Sequence, residues 1–277
     1  MNSDLLLIGR NTAVMIGGGL LLAMAAAALF APWLFAGDPT ALDPVARLRA
    51  PAAAQWFGTD MYGRDLYGRT VYGSRISLLV GLTVAAVSVA VGLSIGLVAG
   101  YVRWVDAVVM RVMDGIMAIP GILLAIAMIA LAGSSLVTVV VAIAIPEVPR
   151  VVRLVRGVVL GIREEPYVEA AISVGTRLPH ILIRHVLPNT VAPLIVQATY
   201  VCASAMILEA ILSFLGAGVP PEIPSWGNIM AEGRTYFQIA PWIIFFPGLA
   251  LALTVLGVNL LGDGLRDSLD PRITKRM

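Results

Sequence analysis

Cysteine is almost missing from these 277 residues: Cys202 stands alone, inside an apolar run. That excludes a disulfide framework within the chain, and the setting fits a small core residue better than a reactive thiol. Histidine is nearly as scarce. His180 and His185 lie five apart in one loop, and a metal site needs more ligands than these two supply. Of 19 basic residues only Lys275 is lysine, which reads as compositional bias. Charge of either sign is thin, at 13%, about half the roughly 25% usual in soluble domains. A net charge of +2 is too small to imply a nucleic-acid partner. No GxxxxGK string followed by Ser or Thr occurs, so the chain is expected neither to bind nor to hydrolyse ATP and to hold no cofactor of its own.

Apolar residues, in contrast, make up 59% of the chain, more than a soluble domain of this size can hide. The composition is that of an all-α integral membrane protein. Runs near the ~20 residues a helical span needs fall at Ala13–Phe35, Ile76–Tyr101, Val112–Leu131, Leu136–Leu160, Val191–Leu215 and Pro241–Leu261. Six transmembrane helices are therefore expected. Barrel strands would alternate in polarity over ~10 residues, and these runs do not. The first run, with Arg10 before it and Ala26–Ala28 within it, could open as a signal peptide. It continues to Phe35, past a ~7–15-residue signal core, and is read as a retained helix.

Orientation follows from the basic residues. With the N-terminus inside, thirteen lie on the cytoplasmic side, among them Arg10, Arg150, Arg153, Arg156, Arg272, Lys275 and Arg276, and six outside. Both termini are expected in the cytoplasm. The domain reading is a tail and first helix over 1–35 and an extracytoplasmic segment over 36–75. A membrane core over 76–265 and a cytoplasmic tail over 266–277 follow. The outer segment ends in a five-residue echo, with Tyr62-Gly63-Arg64, Tyr67-Gly68-Arg69 and Tyr72-Gly73-Ser74-Arg75. Its Tyr and Arg suit an interfacial segment, with an external partner as the alternative. Ser88, Gly92, Gly96 and Gly100 form a small-residue stripe that implies close helix packing, within the chain or against another.

The connection 161–189 is cytoplasmic and long. Pro166 suits the first position of a short helix, Gly175 the left-handed residue that ends it, and Pro179 the start of a second; Pro188 should stop that one. The loop returns Val168, Ile172, Leu178 and Leu182 to the cytoplasmic side, as a surface that inserts into another protein would.

Glu169-Ala170-Ala171, then Gly175, then His185-Val186-Leu187-Pro188 resembles the EAA loop of ABC importer permeases. His185 replaces the general Ile, in the manner of the peptide/nickel branch. Trp56-Phe57-Gly58-Thr59-Asp60, Gly63-Arg64-Asp65, Ser74–Leu78, Glu209–Gly216 and Pro224-Ser225-Trp226-Gly227 resemble the same branch, and together the segments span almost the whole chain. The resemblance is to C-type permease subunits of dipeptide/oligopeptide/nickel importers (DppC/OppC type), in the bacterial inner membrane. It implies a type I importer fold with coupling helices and a homologous B-type permease partner. It also implies two cytoplasmic ATPases that carry ATP and Mg, and an extracytoplasmic solute-binding protein. It assigns ATPase coupling to Glu169, Ala170, Ala171, Gly175, Leu178, Leu182, Leu187 and Pro188.

Ionisable groups inside a membrane are costly, so each needs a reason. Asp114 and Asp263 sit near cytoplasmic ends, where water or an arginine can satisfy them. Glu147 lies between Pro146 and Pro149, which should break the helix. Glu209 suits an interchain contact or a gate, not a proton site. Gln197, Tyr200 and Ser204 share one face of the fifth span and, with Glu209, are the candidate translocation path; helix–helix hydrogen bonding explains them nearly as well. Arg150, Arg153 and Arg156 share another face, for anchoring or ATPase contact. Covalent catalysis is not expected, since the histidines lie far from Ser134 and Ser135. A secondary transporter or channel would need an inverted repeat and paired broken helices, and no clear repeat is present. A membrane scaffold leaves the EAA-like loop unexplained.

Overall fold

Apolar stretches longer than a bilayer is thick must satisfy their backbone groups internally, and this chain does so with helices. A computed structural model describes residues 11–269; Arg10, Arg272, Lys275 and Arg276, assigned above to the cytoplasmic side, fall outside the described residues. Helix α1 (Thr12–Leu29) is capped by Asn11, whose side chain accepts from the Ala13 amide at 2.9 Å. It ends at Phe30, and a short α2 (Ala31–Leu34) with Pro32 in its first turn follows, so the first run is divided rather than continuous. The helix packs on the last one of the chain: a Cβ on Gly17 would lie 2.6 Å from the Leu261 nitrogen.

Residues 36–65 form an irregular segment that leads into α3 (Leu66–Tyr101), capped by Asp65. This helix begins ten residues before the expected Ile76 because Asp65 supplies the cap that the apolar pattern does not reveal. At 36 residues it is about 54 Å long.

The third apolar run is not one helix. Helices α4 (Arg103–Met117) and α5 (Gly121–Ala132) meet at 85°. Pro120 lacks an N–H and disfavours helical geometry at Ile119, which separates the two. In α6 (Leu136–Ile162) the opposite happens, since Pro146 and Pro149 lie inside an unbroken helix. The expected break there does not form. Pro146 packs over Gly121 at the start of α5, and Pro149 is buried, so tertiary packing holds the helix through both.

Helices α7 (Pro166–Ser173) and α8 (Leu178–Ile181) make up the loop. Pro188 does not stop the second one. A π turn over Leu182–Val186 leads directly into α9 (Leu187–Phe214), with the Leu187 amide donating to the Leu182 carbonyl. Widening the turn by one residue lets Pro188 enter at a position where its missing N–H costs little. The result is one helical path over Leu178–Phe214. Helices α10 (Trp226–Gly233) and α11 (Trp242–Leu269) complete the described residues.

By length and composition, four helices among the described residues can cross a membrane, five if the bent pair counts as one span. Helix α6 carries Glu147, Arg150, Arg153 and Arg156, which sets it apart from those.

The small-residue stripe packs within the chain. Cβ atoms on Gly92, Gly96 and Gly100 would come within 2.5, 2.7 and 2.6 Å of the β-carbons of Val151, Val155 and Val159. Two four-residue repeats thus mesh, and Ser88 adds a 3.4 Å hydrogen bond to the Ala144 carbonyl. Replacing Gly96 by Ala should destabilise the detergent-solubilised protein by about 1–3 kcal/mol through overpacking. Adding Val155→Ala should recover part of that loss, read as a rise in melting temperature over the single variant.

Candidate functional site

The loop after α6 is built by local rules. Pro166 occupies the first turn of α7, and Gly175 ends it with φ +77°. The Gly175 amide donates to the Ile172 carbonyl at 2.9 Å and the Thr176 amide to Ala171 at 3.0 Å. That pair of bonds is a Schellman closure, which needs a left-handed residue where Gly175 stands. Tyr167 sits 6.0 Å from the His185 ring, centroid to centroid, and this contact folds α7 back toward the π turn.

The surface so presented differs from the expected one. Val168 and Val186 are fully buried within the chain and Ile181 is nearly so. Leu178, Leu182, Leu187 and Ala171 are half-buried, while Glu169, Ala170, Gly175 and Pro188 are exposed. The apolar groups that face outward are Ile172, Val174 at 81% exposure, and Ile183. Val174 and Ile183 are not among the residues the sequence pattern singles out. Val174 is nonetheless legible as the residue before the left-handed turn, where a helix end cannot cover its own side chain. Among the described residues no cation pairs with Glu169.

The candidate translocation residues do not form one face of a single cavity. Gln197 and Tyr200 line a space of about 220 Å³ with Asn259, Asp263 and Arg266. Ser204 lines another, of about 460 Å³, with Glu147, Arg150, Pro146 and the α4–α5 break at Met117–Pro120. Glu209 lies apart from both, 1% exposed, where its Oε1 accepts from the Ser213 and Ser225 hydroxyls at 2.8 Å each. The Ser213 bond lies within α9, and the Ser225 bond joins α9 to the cap of α10. The neighbouring Trp226 is buried as well, its indole N–H donating to the Thr70 carbonyl at 2.9 Å.

The three arginines of α6 face partners within the chain. Arg153 pairs with Asp114 at 2.5 Å, and Arg156 grips both oxygens of Asp106, one of them at 2.7 Å. Both bonds clamp α4 onto α6. Arg150 instead reaches Glu147 on its own helix, at 3.0 and 3.1 Å.

A fourth cluster is one that the sequence pattern does not reveal as a unit. Arg69 is 2% exposed, and its guanidinium donates to Asp60 at 2.7 Å and to Glu232 at 2.5 and 3.2 Å. Arg64 bonds the same two carboxylates at 2.6 and 2.5 Å. Two cations and two anions balance, and they tie the 36–65 segment and α3 to α10. Asp60, Arg64 and Arg69 belong to the echo and its approach, but nothing local marks Glu232, 163 residues from Arg69. Arg69→Met should leave buried carboxylates underpaired and cost about 3–5 kcal/mol. The check is a fall in folded protein recovered from membranes. Arg47→Met serves as the control, since it alters an exposed arginine and should change recovery little.

Comparison with known proteins gives this arrangement a setting. Residues 88–275 match the family described as binding-protein-dependent transport system inner membrane component. A probable peptide ABC transporter permease protein of Sinorhizobium fredii is 57% identical over 267 residues, 96% of this chain and 91% of that one. A dipeptide transport system permease protein of Alkalihalophilus pseudofirmus is 43% identical, covering 95% of this chain and 87% of its own. A glutathione transport system permease protein of Pectobacterium atrosepticum is 42% identical, with 95% and 88% covered.

Proposed function

We propose a specific role for this chain, which belongs to the family of binding-protein-dependent transport system inner membrane components. It is a permease subunit of an ATP-driven importer for di- or oligopeptides or related small solutes, the solute classes named for its relatives. It pairs with a homologous B-type permease to enclose the pathway. Two cytoplasmic ATPases with ATP and Mg drive the pair, and an extracytoplasmic protein delivers the solute. Helices α1, α3, the α4–α5 pair, α6, α9 and α11 make six crossings, with both termini in the cytoplasm. Helix α6 counts because Arg153 and Arg156 lie toward its cytoplasmic end and are paired.

One observation supports the coupling role most directly. The 166–188 segment closes on itself through Gly175 yet leaves Ile172 and Val174 uncovered beside Glu169. In a rigid loop, such an apolar tip beside a free carboxylate is what a groove on another protein would receive. The π turn joins α8 to α9 in one helical path, so a push that reaches α8 is passed on to the membrane helix. No chemistry is assigned to the chain itself.

Val174→Asp should place a charge in the docking contact. The tagged chain should still insert and retain the partner permease, while the ATPases recovered with it fall at least about tenfold. Gly175→Trp should act alike, because nothing lies near the Gly175 position and its strain is conformational. Undiminished ATPase recovery from both variants would remove the coupling assignment.

A further inference from the structure

Glu147 is the buried carboxylate that the packing of the chain does not use. Its side chain is 3% exposed, near the middle of α6, and both oxygens accept from the Arg150 guanidinium. That pair lies within one helix, so unlike Arg153–Asp114 and Arg156–Asp106 it joins no two elements. Only the Ser204 hydroxyl, 3.3 Å from Oε1, links it to α9. A charge inside a membrane protein is costly, and a single 3.3 Å bond to another helix is little return for it.

The surroundings are those of a binding cavity. The space of about 460 Å³ lies within the range that takes small ligands, and Met117, Pro120, Pro146 and Leu208 give it apolar walls. It also faces the break where α4 ends and α5 begins. At that break the Ile119 amide donates to the Ile116 carbonyl, and the Leu123 and Leu124 amides to the Pro120 carbonyl. Arg150 is 48% exposed at the side chain and stands at the rim, with N–H groups left over from its bond to Glu147.

Resting on the peptide-importer reading above, the geometry points to a passage subsite for a zwitterionic solute with a free amino and a free carboxyl group. The solute ammonium replaces Arg150 at Glu147, with the Ser204 hydroxyl beside it, and the released Arg150 receives the carboxylate. Ion-pair partners are exchanged and net charge is unchanged. The site's own charges cancel, so a zwitterion leaves none uncompensated, whereas a singly charged solute strands one.

The test uses the complete importer with its binding protein in proteoliposomes, fed radiolabelled dialanine and trialanine. Glu147→Gln should lower the uptake rate at least about tenfold, with ATPase subunits still co-purifying. Arg150→Gln should slow the free peptide more than its C-terminal amide. A second measurement does not depend on those variants folding: in a Cys202→Ala background, maleimide labelling of Ser204→Cys should slow during dialanine turnover. Wild-type uptake that both charge variants leave unchanged, or labelling indifferent to turnover, overturns the subsite alone. A wild-type complex that hydrolyses ATP but takes up neither peptide overturns the peptide reading and the subsite with it.

Discussion

The close approach of α3 and α6 is the constraint on which the rest of the structure hangs. Lipid is as apolar as leucine, so burial alone does not drive membrane helices together, and contact density has to. Gly92, Gly96 and Gly100 remove side chains from one helix where Val151, Val155 and Val159 add them to the other. With α6 so held, its other face is free to position partners. Arg153 and Arg156 draw α4 against it, Pro146 seats the start of α5, and Glu147 comes opposite Ser204 of α9.

Charge is used sparingly and in three ways. Asp60, Arg64, Arg69 and Glu232 form a balanced cluster that joins the 36–65 segment, α3 and α10; its value lies in geometry, since the desolvation of four ions consumes much of their attraction. On α6, Arg153 and Arg156 act as clamps. Glu147 and Arg150 do neither, and among the described residues they are the charged groups that line the cavity beside the broken helix. The same side-chain types therefore hold different jobs according to whether their partner sits on another element or on their own.

Residues whose behaviour depends on a few neighbours are legible in the sequence. Pro166 and Gly175 bound a short helix because a fixed φ and a left-handed cap are local demands. Asp114 meets an arginine, one of the two ways by which the sequence expects it to be satisfied. Local rules fail where a neighbour in space offers another solution. Pro188 is absorbed by a π turn, Pro146 and Pro149 are held inside a packed helix, and Pro120, within an apolar run that reads as one span, bends the path by 85°. The exposed face of the loop differs from expectation for the same reason: Val168 has the character of a docking residue, but its own chain covers it.

Composition, hydrophobic run length, the EAA-like string and the turn glycine determined from sequence alone that this is a helical membrane permease with a shaped loop over 161–189. Each of those is a property of consecutive residues or of their solvent preference. Only the tertiary structure decided that the glycine stripe faces Val151–Val159, that Glu232 completes a cluster begun at Asp60, and that Gln197, Ser204 and Glu209 go to three different places. Those outcomes turn on which helices meet and at what rotation, and helical periodicity sets a face without naming its partner.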